Sequence, residues 1–235
     1  AMARCLGQRL GWPEEKLTFE ALMAPEVREK LGELTFVTAT DGNHGRGVAW
    51  AAHKLGQKAV VHMPKGSSQA RYENIAKEGA QITDLNYDDA VRLANRMGKE
   101  HGWILVQDTA WPGYEEIPAW IMEGYTTIAW ELFQQLEDLG GQMPTHLFLQ
   151  AGVGSFAGAI LGSFAARLGK DCPITCIVEP DRADCLYRSA RAADGKIHPV
   201  TGEMNSMMAG LCCGEPCTIS WEIISPGAAA FLSCS

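Results

Sequence analysis

Residues 40–47 read Thr-Asp-Gly-Asn-His-Gly-Arg-Gly, which places a carboxylate (Asp41), a side-chain amide (Asn43) and an imidazole (His44) within four residues, among three glycines. A β-rich apolar run at 34–39 precedes them and a helix-like stretch at 45–55 follows. A helix N-terminus in that position offers backbone N–H donors to an anion, and a carboxylate and an imidazole beside it can move protons. A plain strand-to-helix turn needs only one glycine and one cap such as Asp41. That reading leaves Asn43, His44 and the other glycines unexplained. A second loop, Gln-Ala-Gly-Val-Gly-Ser-Phe-Ala-Gly over 150–158, also joins a strand-like run to a helical one. Its glycines let the backbone approach a ligand closely, Ser155 adds a hydroxyl, and the dipole of the following helix favours negative charge. The predicted phosphate cradle is Gly152, Val153, Gly154, Ser155 and Phe156.

The second loop has two rival readings. From Gly152 the pattern is G-x-G-x-x-x-G, one residue longer than a dinucleotide fingerprint, and Glu179 stands 21 residues past Gly158, near where a ribose-binding acid is expected. The glycines would also serve tight strand–helix packing. Spacing alone does not separate these readings; the asparagine-bearing loop at 40–47 favours the phosphate cradle over a nicotinamide site. Asp108 closes another apolar run in Val-Gln-Asp-Thr-Ala-Trp. On the residues alone it reads as a helix or turn cap, and His44 as a structural histidine behind the site.

The elements that must hold these loops come from the hydrophobic pattern. Strand-like runs at 34–39, 58–63, 80–83, 103–107, 146–150 and 174–178 alternate with helical spacing at 45–55, 69–77, 88–101, 118–139 and 155–168. Short strands that are apolar on both faces and separated by helices predict parallel sheets covered on both sides, an α/β class. In open sheets of this kind ligands bind beyond the carboxyl ends of the strands, where both loops lie. Residue 1 falls inside an apolar helical pattern (Met2, Cys5, Leu6, Leu10), and 228–235 offer no closing element. The chain therefore reads as a central piece of something longer.

Composition bounds the function. The 235 residues carry a net charge of −8 with scattered basic residues, which argues against nucleic acid as a partner. No run approaches the roughly 20 apolar residues of a membrane span, and the start lacks the order of a signal peptide. A cytoplasmic setting with no membrane partner is expected. Cys212, Cys213, Cys217 and Cys234 lack zinc spacing and nearby histidines, so no metal site is expected. A local disulfide with Cys234 stays open, though cytosolic thiols are normally reduced.

Thr-Asp-Gly-Asn-His-Gly-Arg-Gly-Val-Ala-Trp-Ala-Ala at 40–52 resembles the asparagine loop of fold-type II pyridoxal-phosphate enzymes, the tryptophan synthase β-like group that includes threonine dehydratase and cysteine synthase. Gly152-Val153-Gly154-Ser155 resembles their glycine-rich phosphate cup. Within that group the chain is most similar to the diaminopropionate ammonia-lyase family. The resemblance runs through Met63-Pro64-Lys65-Gly66, Asn86-Tyr87-Asp88-Asp89, Gln107-Asp108-Thr109-Ala110-Trp111, Val178-Glu179-Pro180-Asp181 and Met208-Ala209-Gly210-Leu211. Asp41 is its most specific sign, since many other members carry a small residue before the Gly-Asn pair.

The resemblance implies two parallel-sheet three-layer domains, incomplete at both ends: a smaller one over 34–122 with the asparagine loop, and a larger phosphate-binding one from 1–33 and 123–235. It implies pyridoxal 5'-phosphate as cofactor, with Asn43 on the ring hydroxyl, 152–156 on the phosphate and the 41–44 turn on the substrate carboxylate. The reaction implied is α,β-elimination of ammonia from D- or L-2,3-diaminopropionate, giving pyruvate after hydrolysis, in a homodimer. Asp41 would take the α-proton from one face while a lysine serves the other; Asp108 would meet the distal amino group, with His44 in support. A serine or threonine dehydratase, or an inactive truncated relative, is the alternative. One departure stands out. Members hold the cofactor through a Schiff-base lysine in a Phe-Lys-x-Leu-Gly segment, and neither Lys16 nor Lys30 has that context. Alignment of the first residues places that lysine a few positions before residue 1.

Overall fold

Short β-branched and apolar runs separated by amphipathic stretches fold into parallel sheets with helical connections, the predicted α/β class. A computed structural model describes residues 1–40, 42–85 and 87–235. It divides into two units, Ala1–Gln107 and Asp108–Ser235. The first begins with α1 (Met2–Leu10), α2 (Phe19–Met23) and α3 (Pro25–Leu31). It continues through β1 (Thr35–Ala39), α4 (Asn43–Lys54), β2 (Lys58–Pro64), α5 (Gln69–Ala76), β3 (Gln81–Leu85), α6 (Tyr87–His101) and β4 (Ile104–Leu105). α1 stops at Gly11 in the left-handed conformation, and α3 starts on Pro25, whose fixed φ suits a first helical position.

The four strands lie in the order β3-β2-β1-β4, all parallel. Because side chains alternate along a strand, Val37, Ala39 and Val60 face one way and pack on Ala90 and Ala94 of α6. Phe36, Thr38 and Val61 face the other way, towards α4, whose first turn sits so close that a Cβ on Gly45 would meet Thr40 Cγ2 and come within 2.8 Å of Val61 Cγ1. Only glycine permits that approach. The strand predicted over 103–107 contracts to Ile104–Leu105. Beyond it the Gln107 side chain substitutes for ladder bonds: its amide oxygen accepts from the Ala39 N–H (3.0 Å) and the Thr38 hydroxyl (3.2 Å), and its nitrogen donates to the Ala39 carbonyl (2.8 Å).

The second unit comprises α7 (Glu116–Asp138), β5 (His146–Gln150), α8 (Ser155–Leu168), β6 (Ile174–Pro180), α9 (Cys185–Ala192), α10 (Thr218–Gly227) and β7 (Ala230–Cys234). Its strands run parallel in the order β5-β6-β7. The tail, expected to have no closing element, instead ends in β7, whose residues pair with Cys176–Pro180. Leu147, Leu149 and Ile177 turn inward against Ile160, Leu161 and Phe164 of α8 and Trp221 and Ile224 of α10. On the opposite face Phe148, Ile174 and Leu232, which the register sets on one side, are 65%, 51% and 38% exposed. All eight cysteines are free thiols.

Candidate functional site

The asparagine loop leaves the carboxyl end of β1 and opens α4. Thr40 is buried, and its hydroxyl oxygen accepts from the Gly42 N–H at 3.2 Å. The N-terminus of α4 thus lies at the sheet's carboxyl edge. Asn43 is exposed there and lines a groove with Arg46, Gly47, Trp50 and Glu78. His44 turns inward. Its Nε2 lies 2.7 Å from the Val106 carbonyl, and because a carbonyl only accepts, that nitrogen carries the proton. Arg71 of α5 lies along Gly42, with Cδ 3.2 Å from where a Cβ would stand. Asp41, the proposed base, lies outside the described residues, as does Asn86 of the Asn-Tyr-Asp-Asp motif.

In the second unit the glycine loop follows β5 and opens α8, with bounds matching those read from the sequence. Gly154 is the N-cap with φ 98 and ψ −8, a left-handed conformation natural to glycine. The first bond of α8 runs from the Gly158 N–H to the Gly154 carbonyl at 2.8 Å. Among the described residues nothing accepts from the N–H groups of Ser155, Phe156 and Ala157, so three donors converge at the positive end of a helix of 14 residues. A Cβ on Gly152 would come 3.2 Å from Cys213 Sγ and 3.3 Å from Leu211 Cα, so the loop has room for bare backbone. That donor set fits a phosphate.

Side chains around this loop are fixed from several directions. Ser155 is buried, and its hydroxyl donates to the Asp108 carbonyl at 2.5 Å. Phe156 meets Tyr125 of α7 edge-to-face at 5.8 Å. Burial pushes the Tyr125 phenol up to about 12, and the nearby Asp108 carboxylate adds to the rise. Glu179, the alternative ribose-binding acid, is wholly buried and accepts from the Leu186 and Tyr187 N–H groups at 2.9 and 2.7 Å. It caps α9 from within, which removes it from any ribose. Burial raises its carboxyl to about 7 against the pull of those two N–H bonds and of the Cys185 thiol; Asp184 adds to the rise.

A family model described as pyridoxal-phosphate dependent enzyme matches residues 17–235. The chain belongs to that family. Among its relatives, a diaminopropionate ammonia-lyase of Salmonella typhimurium is 57% identical over 99% of this chain and 58% of its own length. Selenomethionine-labelled holo diaminopropionate ammonia-lyase from Escherichia coli superposes with a TM-score of 0.88 at 48% identity, covering 100% of this chain and 57% of that one. The same Escherichia coli enzyme in complex with D-serine superposes with a TM-score of 0.88 at 47% identity, over the same shares of each chain. The chain thus spans a little over half the length of these relatives.

Residues that carry the site's geometry were partly invisible in the sequence. Cys217 and Thr218 bond to the Asp108–Ala110 turn across more than a hundred residues, and no local pattern announces such a contact. Tyr125 could have been suspected only as one polar tip on a long amphipathic helix. Lys16 and Lys30 are exposed, in a short 3-10 turn and in α3 respectively, and neither stands at a strand end. Among the described residues no cluster of metal ligands occurs and no helix is long and apolar enough to cross a membrane.

Proposed function

We propose that the intact protein is a pyridoxal-phosphate-dependent ammonia-lyase that eliminates ammonia from 2,3-diaminopropionate and yields pyruvate. The observation that carries this reading is the glycine loop, with three unpaired N–H groups at the start of α8, in a chain 57% identical to a diaminopropionate ammonia-lyase. When bound, pyridoxal phosphate supplies an electron sink for the bond broken at the substrate Cα. The N–H groups of 155–157 hold its phosphate, and the Asn43 amide is assigned to the ring hydroxyl.

The remaining roles belong to charged and polar groups near the two loops. N–H groups of the 41–44 turn receive the substrate carboxylate, a use of a helix N-terminus that needs no further cation. Asp41 removes the α-proton from one face, and a lysine serves the other, which lets one site take both D- and L-isomers. That lysine is assigned to the part of the intact protein that this chain does not span. Asp108 binds the distal amino group and steadies it as it leaves. His44, held by Val106 through Nε2, supports the same network. The same reading carries a cytoplasmic homodimer. The test is ammonia and pyruvate release by full-length protein from diaminopropionate, serine and threonine in parallel. Faster turnover of diaminopropionate is expected; preference for serine or threonine would replace the lyase by a dehydratase.

A further inference from the structure

The turn that carries Asp108 is tied down at several points, all within the second unit. The Ser155 hydroxyl donates to the Asp108 carbonyl at 2.5 Å. The Ala110 N–H donates to Cys217 Sγ at 3.3 Å, and the Thr218 N–H donates to the Ala110 carbonyl at 3.4 Å. Cys217 in turn gives its own N–H to the Val153 carbonyl in the glycine loop at 2.7 Å. Ser155 and Cys217 are buried, at 3% and 0% exposed, so neither bond competes with water. The Asp108–Ala110 turn, the glycine loop and the start of α10 therefore form one hydrogen-bonded block.

The proton count of a serine sharpens what this block does. A hydroxyl has one proton to give, and a carbonyl oxygen can only accept. The Ser155 proton is committed to Asp108, so towards a phosphate the hydroxyl would present only lone pairs, as does the phosphate itself. Its backbone N–H remains available to the anion. Resting on the lyase reading above, we infer that Ser155 and Cys217 are positioning residues for Asp108: they hold its turn on the glycine loop, and the Ser155 hydroxyl serves this hold instead of the phosphate. The consequence is that the seat of the cofactor phosphate and the carboxylate facing the distal amino group share one frame.

Measurements on the full-length enzyme separate the two uses of the hydroxyl. Ser155→Ala is expected to keep the Kd for pyridoxal phosphate, read by equilibrium dialysis, within about threefold. At saturating cofactor, kcat for diaminopropionate is expected to fall at least about tenfold, on the scale of a misplaced reacting group. A Kd raised more than about threefold, or a smaller loss of kcat, overturns the inference. Cys217→Ala is expected to lower kcat in the same way, and Cys217→Ser, whose oxygen accepts the Ala110 N–H, to recover most of it. Equal losses in both Cys217 variants would also overturn it, and this pair decides the matter if Ser155→Ala does not fold. Failure of the unmodified enzyme to bind pyridoxal phosphate or release ammonia is a separate result, which removes the lyase reading itself.

Discussion

Replacing Gly154 by alanine isolates the geometry on which the glycine loop depends. The residue sits at φ 98, where an L side chain is strained by about 1–2 kcal/mol. Its new Cβ would stand 2.9 Å from Ser220 Oγ, 3.1 Å from Ile224 Cδ1 and 3.3 Å from Leu186 Cδ1. Those three residues are all fully buried, and the Ser220 hydroxyl already donates to the Cys217 carbonyl at 2.9 Å, so it cannot swing aside without giving up that bond. Overpacking of this kind costs about 1–3 kcal/mol. Together the terms predict a loss of about 2–5 kcal/mol, a large share of the about 5–15 kcal/mol that holds a domain folded. Urea unfolding of the full-length protein reads it directly. Gly162→Ala, eight residues along α8, is the matched control. Its Cβ would meet nothing nearer than 3.6 Å, and alanine suits a helix interior, so that variant is expected to be neutral or more stable by about 0.5–1 kcal/mol. If Gly154→Ala unfolds within about 0.5 kcal/mol of the unmodified protein, the reasoning from left-handed backbone and crowding fails.

Three further predictions concern Glu179, Gln107 and Asp41. Glu179 has a folded-state pKa near 7 against an ordinary 4.5, so between those values the folded protein holds more protons than the unfolded one. Its contribution, about 3 kcal/mol, is complete below the ordinary value and is lost as pH rises through about 7; Glu179→Gln should flatten that part of the pH dependence in urea unfolding. Gln107→Leu leaves the Ala39 N–H and carbonyl and the Thr38 hydroxyl without their buried partner and should cost about 2–5 kcal/mol, measured by thermal unfolding of the full-length protein. Asp41→Ala should abolish turnover of D-diaminopropionate while sparing more of the L-isomer rate; equal loss on both isomers would separate Asp41 from the one-face role.

The sequence was most informative where pattern and local chemistry agree. β5 and α8 were legible to the residue, because a strictly bounded apolar run meets three glycines and then a long helical spacing. β4 was overestimated because Gln107 completes the ladder with its side chain and not its backbone. β7 was missed because Ala230–Cys234 has little β-branched character and owes its conformation to pairing with β6. α10 was hidden by Pro226, which sits inside its last turn. In the site, residue types pointed to a phosphate at 152–156, but a hydroxyl in such a loop gives no sign of where its proton goes. Only the approach of Asp108 from 47 residues away shows that the Ser155 side chain turns from the loop towards the neighbouring turn.

The most direct test of the central claim joins cofactor and substrate in one measurement. Full-length protein supplied with pyridoxal phosphate is given D- and L-2,3-diaminopropionate, and pyruvate and ammonia are quantified together. Two ammonia per pyruvate from both isomers, dependent on added cofactor, is the predicted result. Cofactor binding with no ammonia release from either isomer would contradict the account.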